Sequence, residues 1–96
     1  MKQIELHGET YKVGGKVLSI GLDERCFKAV STSIIFEIDE DKNEFVFAQY
    51  GDEDYKFVLP LDYLKKNFYV YNKANKKKLQ DECNKSYKEW LDKVNA

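Results

Sequence analysis

The sequence predicts an α+β domain, an antiparallel sheet of five or six short strands followed by one short and one long C-terminal helix. Three observations carry this. Residues 1–60 alternate apolar and polar side chains in short runs divided by turn residues. Beyond Leu79 that alternation gives way to a helical stripe: Leu79, Cys83, Tyr87, Trp90, Leu91 and Val94 share one face. The single proline, Pro60, stands at the junction, where its missing N–H ends a strand. Strands first and helices last is the α+β order.

Each element follows from its residues. Ile4 and Leu6 alternate with Lys2, Gln3 and Glu5, which predicts a short strand. His7-Gly8-Glu9 turns the chain and Thr10 to Val13 returns it as a hairpin. Gly14-Gly15 breaks again, and Lys16 to Leu22 places Leu18, Ile20 and Leu22 on one face. Cys26 to Ile38 is rich in β-branched and aromatic residues but exceeds the usual ~5–6 residues of a strand. It must therefore be bent by a bulge, or split near Ser31-Thr32-Ser33. Glu44 to Tyr50 is apolar on both faces, which predicts a central strand, and Tyr55 to Leu59 is the last clear one. Leu61, Leu64 and Phe68 predict a short helix over 61–68. Tyr69-Val70-Tyr71 reads equally as a helix end or an extended link, and Asn72 or Asn75 caps the final helix. A strongly bent long strand would also close so small a sheet into an SH3-like barrel.

The chain has 96 residues, enough for one core, and reads as a single domain with a β-rich part (1–60) and a helical part (61–96). Aromatic residues make up 15%, which argues against disorder. No apolar leader and no apolar run of membrane-spanning length is present. Two cysteines, Cys26 and Cys83, in a lysine-rich chain read as reduced thiols, with a Cys26–Cys83 bridge as the alternative. The expected location is the cytoplasm.

The chemical inventory is thin. His7 is the only histidine, so neither a Cys₂His₂ nor a His₃ zinc site can form, and its place in a turn suits solvent rather than catalysis. Gly14-Gly15-Lys16 lacks the remainder of a phosphate loop. Asp39 to Asn43 begins like a calcium loop, but Glu44 stands where that loop needs glycine and Tyr50 where it needs glutamate. No catalytic, cofactor or metal residues are assigned, and the expectation is a non-enzymatic binding protein.

Residues 14–64 resemble a Tudor-type module, a small SH3-like barrel. The resemblance rests on Gly15-Lys16-Val17, Phe27-Lys28-Ala29-Val30, Val46 to Asp52, and Leu59 to Leu64. It implies an aromatic cage for methylated lysine or arginine drawn from Phe27, Phe47, Tyr50 and Tyr55, acting by cation–π attraction. The same rings also read as core or cross-strand pairs.

Charge is unevenly placed. Residues 1–60 hold twelve acidic against seven basic residues, and residues 61–96 hold nine lysines against five acidic residues. The acidic part suggests docking on a larger protein through Tyr11, Glu40, Asp41, Tyr50, Asp52, Glu53, Asp54 and Tyr55. In a plain meander, however, the two acidic turns fall at opposite ends of the sheet. Residue usage suggests an AT-rich genome of bacterial or phage type, where an inhibitor of a host or defence enzyme is one concrete form of such a binder. The alternative is nucleic-acid binding through Lys65, Lys66, Tyr69, Lys73, Lys76, Lys77 and Lys78, where ammonium groups interleave with rings. A homodimer is a further expectation if the Trp90 stripe outruns the sheet.

Overall fold

A computed structural model describes residues 2–22 and 27–96, with Leu22 described by its backbone alone. The order is β1 (Gln3–Leu6), β2 (Glu9–Lys12), β3 (Lys16–Leu22), β4 (Lys28–Asp39), β5 (Glu44–Gln49), β6 (Lys56–Pro60), α1 (Leu61–Asn67), β7 (Tyr69–Val70) and α2 (Lys73–Val94). β1 and β2 form a two-stranded hairpin, and the other five strands form an open antiparallel sheet ordered β6-β5-β4-β3-β7. The sheet does not close: of the two forms open to the sequence it takes the antiparallel sheet and not the barrel, with β6 and β7 at its edges. The long strand, β4, is bent all the same. Ile35 opposes Phe47 and Glu37 opposes Val46, which leaves Phe36 as the extra residue of a bulge beyond Ser31–Ser33.

Local chemistry explains the turns. His7 and Gly8 both have positive φ, 56° and 75°, the backbone that a two-residue type I′ hairpin demands. Asn43 also adopts a left-handed φ of 55°, and the Asp39 carboxylate accepts from the Lys42 N–H within the same loop. The Asn72 side chain accepts from the Asn75 N–H at 2.8 Å and caps α2, so the helix begins six residues before its apolar stripe. Tyr69–Val70, ambiguous in sequence, is a strand: it pairs with Val17 and Leu18 and forms an edge of the sheet.

The sheet is covered on both faces. On one, α1 and the β1–β2 hairpin enclose a core of Tyr11, Val17, Ile35, Ile38, Phe45, Leu61, Leu64 and Phe68. Phe45 centres it, its ring 5.1 Å from Phe47 and 5.6 Å from Phe68. On the other, α2 lies against β3 and β4 and buries Leu79 and Cys83. The Lys28 N–H donates to Ser86 Oγ at 3.1 Å, and Phe27 packs against Tyr87 and Trp90. Phe27 covers part of the Trp90 stripe within the monomer, while Tyr87 and Val94 of the same stripe remain exposed. Burial, and secondarily Glu82, pushes the Cys83 thiol up. Cys26 lies outside the described residues, and with it the alternative bridge. Among the described residues no helix is long and apolar enough to cross a membrane.

Tyr11 is a core residue and not a docking contact. It is 2% exposed and its hydroxyl donates to the Phe68 carbonyl at 3.0 Å. Burial, then Glu9 and Tyr69, pushes its pKa from 10.0 up to about 12. Because the folded value is raised, this stabilisation is complete below pH 10 and is lost as pH climbs through about 12. Tyr11→Phe should leave the Phe68 carbonyl unpaired at a cost of about 1–3 kcal/mol at neutral pH. It should also flatten the alkaline loss of stability. Urea titrations of both proteins at neutral pH and above pH 10 check both effects; equal alkaline loss in the variant would exclude Tyr11 as its source.

Candidate anion-binding cleft

The chain reverses twice between residues 61 and 73, and the reversal decides where the lysines go. α1 ends with Lys65 and Lys66 in its last turn, where cations offset the helix dipole. Phe68 then dives into the core, β7 runs along β3, and Asn72 starts α2. The last turn of α1 and the first turns of α2 therefore face one another across the tip of the β1–β2 hairpin. Between them lies a cleft of about 520 Å³, lined in part by His7, Glu9, Lys65, Lys66, Tyr69 and Lys78, with Tyr11 and Phe68 at its apolar floor.

Side-chain bonds between distant parts of the chain hold the cleft's walls. His7 Nε2 donates to the Lys65 carbonyl at 2.8 Å, joining the hairpin turn to α1. Asn75 Nδ2 donates to Glu9 Oε1 at 3.1 Å and to the Val70 carbonyl at 2.9 Å, joining α2 to the hairpin and to β7. Glu9 is thus engaged by a neutral amide, while Lys65 and Lys66 remain exposed. The Lys78 ammonium stands 5.5 Å from the Tyr69 ring centre. The lining carries three lysines against one carboxylate, in a concave space with aromatic walls. Such a space suits an anion with an apolar or aromatic body.

Of the seven residues read as a nucleic-acid surface, Lys65, Lys66, Tyr69 and Lys78 meet in this cleft. Lys76 lies apart from it, donating to the Tyr71 hydroxyl at 3.3 Å, and Lys16 joins it over the Tyr71 and Tyr50 rings. Lys77 does not join: it pairs with Asp81 at 2.8 Å along the exposed side of α2, and that pairing raises its pKa. Lys73, at the start of α2, is exposed and does not line the cleft. His7, Glu9 and Asn75, which complete the cleft, carry no sequence signal, since they meet the lysines only across the fold.

The acidic residues do not converge. Glu40 and Asp41 occupy the β4–β5 turn, and Asp52, Glu53 and Asp54 the β5–β6 loop, at opposite ends of a six-residue strand. The implied aromatic cage is not assembled either. Phe47 stacks in the core beside Phe45, Phe27 lies against α2, and Tyr50 and Tyr55 are exposed. No protein family, curated protein or solved structure matches the chain, so its role has to be read from its own surface.

Proposed function

We propose that this chain is a non-enzymatic nucleic-acid-binding module that holds a phosphate backbone in the cleft between α1 and α2. The observation that carries this reading is the meeting of Lys65, Lys66 and Lys78 with the Tyr69 ring in one concave site. Lysines neutralise phosphates and release their counterions, and a ring edge or face beside them favours an unpaired base over a stacked duplex. The absence of arginine from the lining, among the described residues, makes the binding independent of base sequence, because bidentate base readout uses the guanidinium fork. Fluorescence anisotropy with labelled single-stranded and duplex oligonucleotides tests the reading. Binding is expected at low salt, stronger for single strands, with log affinity falling against log salt at a slope of about −2 to −3. Absence of binding at low salt overturns it.

A second reading is favoured by the β5–β6 loop alone. Tyr50, Asp52, Glu53, Asp54 and Tyr55 lie within six residues there, and both tyrosines are exposed. That loop would dock a basic patch on a larger protein, without Tyr11, Glu40 or Asp41. Salt-sensitive oligonucleotide binding lost with the cleft lysines and untouched by loop substitutions separates the two.

A further inference from the structure

Among the described residues one edge of the sheet is β6, and the other is shared between β7 and residues 19–22 of β3, which no strand covers. β7, at one side, has two residues, and the Tyr71 N–H beyond it still donates to the Lys16 carbonyl. β6, at the other side, has five residues and β5 as its single strand partner. The ladder sets which of its amides are free. The Leu61 N–H donates to the Asn43 carbonyl at 3.0 Å, so by two-residue alternation Leu59 and Phe57 also turn their amides toward β5. Lys56, Val58 and Pro60 turn theirs outward, and Pro60 therefore sacrifices no bond within the sheet.

This edge exposes apolar side chains on both faces of the sheet. Phe57 is 53% exposed on one face and Val58 is 56% exposed on the other. Behind Phe57 the Phe47 ring stacks at 5.6 Å, and behind Val58 lies Val46.

We infer that β6 pairs antiparallel with β6 of a second copy about a two-fold axis at Val58, joining two five-stranded sheets into one. The strand is complementary to itself in that register. Val58 exchanges both hydrogen bonds with its copy, and each Lys56 N–H meets a Pro60 carbonyl. Phe57 faces Leu59 of the copy on one side of the sheet. On the other, Lys56, whose ammonium stands 4.8 Å from the Phe36 ring centre in the single chain, would leave that ring and reach over Pro60 of the copy toward Glu44, which sits directly behind that proline in the register. The charges match across the axis and the apolar strips of Val46 and Val58 become continuous. Lys56 and Pro60, residues that protect edges from open-ended pairing, restrict the contact to one short register. Because the two-fold pairs the β6 edge of one copy with the same edge of the other, this contact closes as a dimer.

Sedimentation over a concentration series reaching the millimolar range tests this. The wild type should shift from monomer to dimer. Val58→Pro removes an outward N–H without breaking an internal bond and should give a monomer with unchanged circular dichroism. Lys56→Glu should weaken the dimer about tenfold or more, and adding Glu44→Lys to the same chain should restore it. A wild type that stays monomeric throughout overturns the inference. So does a dimer left intact by Val58→Pro, or a charge swap that fails to restore the association weakened by Lys56→Glu.

Discussion

Replacing Phe45 with alanine should remove about 3–5 kcal/mol of folding free energy, the range for truncating a fully buried phenylalanine. The residue is completely buried, opposes Ile38 on β4 and Leu59 on β6, and packs its ring between Phe47 and Phe68. It thus touches the sheet and the segment after α1 at once, so the cavity cannot be filled by moving one element. A 96-residue domain has roughly 5–14 kcal/mol to lose. The urea midpoint should fall by about 2–4 M with little change in slope. Phe57→Ala, in a ring already half in solvent, should cost no more than about 1 kcal/mol. Similar effects in the two variants would mean that the core is centred elsewhere.

The second large effect concerns binding. Replacing Lys65, Lys66 and Lys78 together with glutamine should reduce the salt slope by about 2 for single-stranded nucleic acid, near 0.7 for each phosphate no longer neutralised. At low salt, where the slope acts over the widest range, the affinity should drop by about a hundredfold. The matched control replaces Lys85, Lys88 and Lys93, which changes net charge equally in the C-terminal half of α2. That triple should retain most of the affinity. Equal reductions would show that only overall charge matters and that the cleft is not the site.

The strands are legible in the sequence where side chains alternate. Ile4, Leu6, Phe45, Phe47 and Leu59 all point where their period predicts, and Glu44–Gln49 is central because both of its faces are apolar. β7 is not legible, because two residues carry no period. Its position follows from pairing with Val17 and Leu18, more than fifty residues away. The cleft depends on that same pairing. The number of lysines is plain in the sequence, but which lysines meet is decided by where β7 turns the chain. One exclusion needs no structure: Asp81 stands four residues after Lys77 on a helix, the spacing at which such pairs form. The burial of Tyr11 follows from its register opposite Ile4, a partner visible only once the hairpin turn is known to be His7-Gly8.

β7 comes late in synthesis. α1, Phe68 and β7, which close this side of the core beside the β1–β2 hairpin, leave the ribosome after all the other strands have been made. Until then Phe45 and Ile38 lack the α1 part of their cover, and Tyr11 of the hairpin has no Phe68 carbonyl to grip. Pairings that span so much of the chain are slow to form. The growing polypeptide must wait, half-dressed, for its own tail, and nascent-chain helpers would find their binding surface during that interval.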